Sequence, residues 1–248
     1  MSKIALITGA SRGIGAATAI NLAAKGYDIC INYKSNDVAA NKVLYEIQQL
    51  GRKCIAVKAD ISDEDDVVRL FKIIDEKLGR LSVLVNNAGI LLPQSRVEDL
   101  TAERINTILT TNITSYFLCC REAIKRMSTK HAGKGGAIVN VSSAAARLGG
   151  ANEYIDYAAS KGAIDTLTTG LSIEVANQGI RVNGVRPGFI ETSMHADGGE
   201  PDRINRVKSS IPLGRGGQPA EVASAIAYLL SDEASYITGS FLELAGGK

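Results

Sequence analysis

Short runs of β-branched and aliphatic residues alternate with longer helical patterns along the whole chain, and this alternation restricts the fold more than any other feature. Lys3–Thr8, Asp28–Tyr33, Lys53–Lys58, Ser82–Asn86, Ala137–Ser142, Ile180–Val185 and Phe241–Leu244 read as strands. Between them, Gly13–Lys25, Asp37–Leu50, Asp63–Leu78, Thr101–Ser128, Asn152–Asn177 and Pro219–Ser231 read as helices. The strands are almost continuously apolar, so both faces of their sheet must be covered. Parallel strands need a crossover between them, and a helix is the usual one. The pattern therefore predicts the α/β class. Its expected form is a single-domain Rossmann fold over residues 1–248, a doubly wound parallel sheet of about seven strands with helices on both faces.

Helix ends are legible in places. Ser62 is a candidate N-cap, followed by Asp63, Glu64, Asp65 and Asp66 at the positive end of the helix dipole. Gln178-Gly179 ends the long helix before the sixth strand. Pro219 suits a first helical turn. One segment, 192–217, is irregular and rich in Gly, Pro and charge, as expected of a substrate lid.

Composition excludes several classes. A net charge of +2 is too small to argue for nucleic acid or an anionic membrane surface. Cys30, Cys54, Cys119 and Cys120 form no C-x-x-C pair and read as buried thiols in a reducing compartment. His131 and His195 lack metal-ligand company, so no metal is expected. The apolar run at Ile4–Ile7 leaves no room for a secretory leader ahead of it, and no apolar stretch approaches membrane length. A soluble cytoplasmic protein is the expectation.

The loop Gly9-Ala10-Ser11-Arg12-Gly13-Ile14-Gly15 sits between the first strand and the first helix. Backbone N–H groups at such a turn can approach a pyrophosphate, and the helix N-terminus adds partial positive charge. Tyr157 and Lys161 stand four residues apart on a long helix, hence on one face. A phenol has a pKa near ~10, too high for a base at neutral pH, and a neighbouring ammonium favours its phenolate.

Together these residues resemble the short-chain dehydrogenase/reductase family over essentially the whole chain. Thr8-Gly-x-x-x-Gly-Ile-Gly, Asn86-Asn87-Ala88-Gly89 and Pro187-Gly188 match three of its fingerprints in order. The resemblance implies hydride transfer between a nicotinamide cofactor and a carbonyl or alcohol, with Asn112, Ser143, Tyr157 and Lys161 as the catalytic group. Lys161 would also hold the nicotinamide ribose. Ser143 is chosen over Ser142 as the second of its pair, fourteen residues before Tyr157. Asn112 would hold a water in a proton relay, and Thr192 would contact the carboxamide. Asp60 and Ile61 would hold the adenine. Asn32, Tyr33, Ile190, Asn87, Ala88, Gly89, Pro187 and Gly188 complete the expected cofactor contacts.

An acidic residue after the second strand would bind a ribose 2′-OH, and none stands there. Lys34 and Arg12 suit a 2′-phosphate instead, so NADP(H) is expected over NAD(H). The Pro187–Thr192 stretch is similar to bacterial 3-oxoacyl-carrier-protein reductases, and glucose dehydrogenases share the skeleton. Lys125, Arg126, Lys130 and Lys134 could meet an acidic carrier protein or simply be solvated charge. A non-catalytic nucleotide sensor is the alternative of another class. The family resemblance further implies a homotetramer, and Phe241, Leu242 and Leu244 are equally readable as interface or core.

Overall fold

The computed structural model describes residues 2–248, so Met1 lies outside the account. Seven parallel strands form one sheet in the order β3-β2-β1-β4-β5-β6-β7. They are β1 (Ile4–Ile7), β2 (Asp28–Tyr33), β3 (Cys54–Lys58), β4 (Val83–Asn86), β5 (Gly136–Val141), β6 (Ile180–Pro187) and β7 (Phe241–Leu244). The order reverses between β1 and β4, and there a crevice opens at the carboxyl ends of the strands.

Alternation along β1 shows how the sheet divides its two cores. Ala5 and Ile7 join the cluster under α1 (Gly13–Ala24), α2 (Asp37–Gln49) and α10 (Pro219–Leu230). Ile4 and Leu6 face the cluster under α3 (Glu64–Lys77), α5 (Ser115–Met127) and α7 (Ile155–Val175). Each face thus carries three helices. Full burial of a ring such as Phe71 in the second cluster contributes about 1.5–3 kcal/mol. Leu242 and Leu244 pack against the first cluster, so this end of β7 serves the core.

Three local expectations are corrected, and one element is added. The helix expected over 101–128 is not one regular α-helix: α4 (Ala102–Leu109) and α5 are joined by a π-helical stretch, Thr110–Thr114. Asn112 lies in that stretch, where its side chain holds backbone groups outside the helix. The cap of α3 is Asp63, not Ser62: the Asp63 carboxylate accepts from Asp66 N at 2.9 Å, while the Ser62 hydroxyl is spent on Asp60 at 2.6 Å. The helix expected from Asn152 begins at Ile155, because Asn152 has φ 63° and belongs to a turn. A short helix, α6 (Ala145–Leu148), follows β5 without a sequence signal of its own.

The irregular segment contains two short helices, α8 (Met194–Asp197) and α9 (Arg203–Val207). Its ends are pinned together: Glu191 N donates to Gly217 O at 2.8 Å and Gly217 N to Phe189 O at 2.9 Å. The segment is a closed excursion from a fixed base.

Buried polar groups also tie sheet to helix. Asn86 Nδ2 donates to Asn140 Oδ1 at 2.9 Å, and Asn140 Nδ2 donates to Thr168 Oγ1 at 2.9 Å. This chain joins β4, β5 and α7 beneath the crevice. Asn140→Ala would leave the Asn86 amide without its partner, at a cost of about 1–3 kcal/mol. Urea unfolding measures it; an unchanged midpoint would mean the chain carries no stability.

Candidate active site

The glycine loop is held by a threonine and an asparagine. Thr8 Oγ1 accepts from Asn87 N at 2.9 Å and from Ala88 N at 3.0 Å. Asn87 Nδ2 returns bonds to Thr8 O at 2.8 Å and Gly9 O at 3.2 Å. The packing admits no side chain at two of the loop glycines. A Cβ on Gly9 would meet Ala88 Cα at 2.8 Å, and φ there is +61°. A Cβ on Gly15 would meet Asn87 Nδ2 at 2.5 Å. Gly13 needs its freedom for another reason, a φ of +57° ahead of Ile14 at the helix start.

A cavity of about 370 Å³ opens over this loop. Gly9, Ser11, Arg12, Gly13, Ile14, Asn32, Tyr33, Lys34, Asp60, Ile61, Asn87, Ala88, Gly89 and Thr192 all line it. Gly15 lies behind the wall. Asn32 is largely committed within the fold: its side chain accepts from Gly9 N at 3.3 Å and donates to Ala59 O at 2.9 Å. Asp60 is doubly engaged, accepting from Ser62 N at 3.1 Å and pairing with Lys34 Nζ at 2.6 Å. The Lys34 ammonium and Ser62 hydroxyl hold the Asp60 carboxyl below its usual range against the opposing effect of burial. Arg12 is engaged as well, by Ser193 Oγ at 2.9 Å and by the Asp197 carboxylate of α8.

A second cavity of about 290 Å³ lies beyond the carboxyl end of β5. Ser143, Tyr157, Lys161, Pro187, Gly188 and Ile190 line it. Its outer wall is mostly apolar, with Leu91, Leu148, Tyr154, Phe189 and Met194. The two cavities share Ile14, Asn87, Thr192 and Met194, so they meet along one seam.

The geometry distinguishes the two serines. Ser142 Oγ donates to Lys161 O at 3.2 Å and is buried. The Ser143 hydroxyl stands beside the Tyr157 phenol and accepts from Ala145 N at 3.1 Å. Burial raises the Tyr157 phenol pKa, and the Ser143 hydroxyl pulls it back down. The lowering expected from Lys161 is therefore not the dominant effect in the free protein. Lys161 is itself buried, and desolvation brings its ammonium down to about 8 against a small opposing pull from Asp165. Its Nζ donates to Val141 O at 2.8 Å and lies 5.6 Å from the centre of the Tyr157 ring.

Asn112 is locked. Its amide accepts from Ile90 N at 2.8 Å and donates to Ile90 O at 3.1 Å and Ser160 Oγ at 3.1 Å. The structure thus gathers Asn112, Ser143, Tyr157 and Lys161 at one end of the sheet. Ser160, Tyr116 and Arg203 join them and were missed from sequence. Ser160 adjoins Lys161 and was open to inspection; the other two carry no local signal.

Arg203 closes the outer side. Its guanidinium contacts Glu153 and Glu200 at 2.5 Å each and lies over the Tyr154 ring at 4.8 Å. Arg206 pairs with Glu153 at 3.0 Å and contacts Glu200. This network fastens the segment 192–217 to the loop before α7. The basic cluster near the end of α5 is partly neutralised, since Lys125 pairs with Glu122 at 2.8 Å and Arg126 with Asp75 at 2.7 Å. The four cysteines are free and buried. Among the described residues no cluster of three metal-ligating side chains occurs.

A parallel sheet that carries a glycine loop and, at its crevice, a half-buried Tyr157 with a buried Lys161 defines an oxidoreductase of the Rossmann kind. Comparison with known proteins narrows the class. A family profile described as enoyl-(acyl carrier protein) reductase matches residues 9–248. The uncharacterized oxidoreductase YgfF of Escherichia coli is 66% identical over 245 residues, covering 99% of each chain. A 3-oxoacyl-[acyl-carrier-protein] reductase of Synechocystis is 40% identical, covering 99% of this chain and 96% of its own. A short chain dehydrogenase of Burkholderia cenocepacia, solved in complex with NADP, superposes with a TM-score of 0.91 at 34% identity, covering 99% of this chain and 97% of its own. The chain belongs to the short-chain dehydrogenase/reductase family of oxidoreductases, whose members use a nicotinamide cofactor.

Replacing both arginines, Arg203→Met with Arg206→Met, would leave Glu153 and Glu200 facing each other without a cation between them. The segment 192–217 should then be cut several-fold faster by a protease while the rest of the chain resists. Equal cleavage rates in the two proteins would show that the ion network does not fasten this segment.

Proposed function

We propose that the protein is an NADP(H)-dependent oxidoreductase acting on a carbonyl or secondary alcohol. One observation carries the reading: the Tyr157 phenol and the Ser143 hydroxyl stand together in an apolar cavity that shares a wall with the glycine-loop cavity. The residues suit a dinucleotide. Gly9 and Gly13 line the cavity over the loop and present backbone there without a side chain, and α1 begins at Gly13. Ser11, Gly13 and Ile14 would hold the pyrophosphate, and Arg12 and Lys34 the 2′-phosphate. Asp60 and Ile61 would hold the adenine, while Asn87, Ala88, Gly89, Ile190 and Thr192 would line the ribose and nicotinamide. The nicotinamide supplies or takes up the hydride.

The chain's own groups manage the oxygen. In reduction Tyr157 gives its proton to the carbonyl oxygen, and in oxidation its phenolate takes the proton from the alcohol. Ser143 donates a hydrogen bond to the same oxygen and steadies its developing charge. Lys161 favours the phenolate form of Tyr157 and holds the nicotinamide ribose. Asn112, fixed by Ile90 and Ser160, would carry the water that links Lys161 to solvent. A largely apolar outer wall suits a hydrophobic carbonyl compound.

The NADP preference rests on Arg12 and Lys34. Both bind carboxylates in the free protein, and a 2′-phosphate would exchange with those partners. We further assign a homotetramer in the cytoplasm, with no nucleic-acid or membrane partner and residues 192–217 as the lid of a single domain. Among the described residues no helix is long and apolar enough to cross a membrane. The four reduced thiols fit a reducing compartment.

With NADPH and a panel of ketones, Tyr157→Phe should lower kcat by about 10²–10⁴-fold and leave NADPH binding intact. Turnover equal to that of the parent protein would refute the acid–base role. Arg12→Gln should weaken NADPH binding about tenfold and leave NADH binding unchanged. A parallel loss for both cofactors would remove Arg12 from 2′-phosphate recognition.

A further inference from the structure

Among the described residues Lys161 is the only buried lysine. An ammonium has three N–H donors and no acceptor, so its seat is defined by the acceptors around it. Two such groups are within reach: Val141 O at 2.8 Å and the hydroxyl of Tyr116 at 3.5 Å. Two aromatic faces complete the surroundings, with Nζ 5.4 Å from the centre of the Tyr116 ring and 5.6 Å from that of Tyr157. Both lie inside cation–π range, which extends to about 6 Å.

We propose that Tyr116 is a positioning residue of this site, seating the Lys161 ammonium between two phenol rings and so controlling how strongly that charge acts on Tyr157. The proposal rests on the role given to Lys161 above.

The arrangement at Tyr116 is specific. The residue is wholly buried, and its hydroxyl donates to Val141 O at 3.1 Å. With its proton committed there, its lone pairs are left to accept from Nζ. Burial lifts the Tyr116 phenol well above its ordinary range, so it stays neutral and serves as acceptor, never as base. The π-helical stretch leads directly into it. Asn112 and Tyr116 are four residues apart and both buried, one on Ile90 and Ser160, the other on Val141 and Lys161. One helical joint thus supplies two of the groups around the Tyr–Lys pair.

The groups around Lys161 can be named element by element. From α7 come Tyr157 and Asp165, the latter paired with Arg186 at 3.0 Å. From α5 comes Tyr116, which has Cys119 and Cys120 beside it, both thiols pushed upward by burial and hence neutral. From the end of β5 come Val141 O and Ser142, and from the loop after β4 comes Gly89, whose Cβ position lies 3.6 Å from Nζ. Asp165 is the one carboxylate in this set, and Arg186 offsets it. The Tyr116 oxygen therefore matters to the charged state. Without it the ammonium loses an acceptor, gives up its proton at lower pH and favours the Tyr157 phenolate less.

The test is Tyr116→Phe, which deletes one oxygen and leaves Val141 O with its Lys161 donor. Two readings are taken. The first is the titration of the Lys161 Cε signal by NMR in lysine-labelled protein without cofactor, assigned with Lys161→Arg. The second is the pH profile of kcat for alcohol oxidation with NADP⁺. The expected result is a Lys161 midpoint near the depressed value of about 8 in the parent protein and a lower one in the variant. The acid limb of the oxidation profile should move to higher pH, with kcat at neutral pH about three- to tenfold lower and KM for NADP⁺ unchanged. An unchanged Lys161 midpoint in a folded variant overturns the proposal, as does a Lys161 in the parent protein that titrates like a free lysine. A midpoint that moves while the oxidation limb stays fixed overturns the link to Tyr157. A parent protein without turnover on any alcohol or ketone counts against the proposed function, and the NMR reading still decides the seating of Lys161.

Discussion

The close meeting of two loops at the sheet's reversal point governs the rest of the architecture. β1 and β4 are neighbours, and the turns that leave them pack directly on each other, with Ala88 against Gly9 and the Asn87 amide against Gly15. Thr8 and Asn87 exchange hydrogen bonds across that contact, so each loop fixes the other. The absent Cβ atoms at Gly9 and Gly15 are the condition for this. Once the contact is made, α1 begins at a fixed point and the crevice has a rigid floor. Groups arriving from β5, α5 and α7 are then arranged around a settled reference.

The opposite wall is built differently. Its polar groups are buried and tied to backbone: Asn112 to Ile90, Ser142 to Lys161 O, Lys161 to Val141 O. Backbone partners cannot rotate away, which keeps donors and acceptors oriented. The cost is desolvation, visible in the Lys161 ammonium drawn down and the Tyr157 phenol pushed up. Charge in this wall is therefore easily shifted by a small change in surroundings.

The strands, the glycine loop and the Tyr157–Lys161 pair were legible because each is written in adjacent or regularly spaced residues. Periodicity marks a buried strand wherever it lies. Ser143 could be separated from Ser142 only by resemblance, and the fold supplies the reason in their different partners. The π-helical joint at 110–114 was invisible, since Thr110-Thr111-Asn112-Ile113-Thr114 carries no local signature of an extra residue per turn. Its conformation goes with where Asn112 finds partners, at Ile90 and Ser160, 22 and 48 residues away along the chain. Tyr116 reads as an ordinary core aromatic until Lys161, 45 residues later, is brought against it. The Asp63 cap was missed for a simpler reason: Asp63 was read as the first residue inside the helix, and Asp60 claims the hydroxyl of Ser62, the residue expected to cap.

Arg12 belongs at once to the glycine loop and, through Ser193 and Asp197, to the segment 192–217. A guanidinium can spend each N–H only once. An anion that draws on those donors takes them from Ser193 and Asp197, and those partners in turn withhold them from the anion. The two contacts are thermodynamically linked, and the linkage is reciprocal: whatever free energy the Asp197 contact removes from anion binding, anion binding removes from that contact. Because the pair is largely exposed, added salt weakens the exchange from both sides.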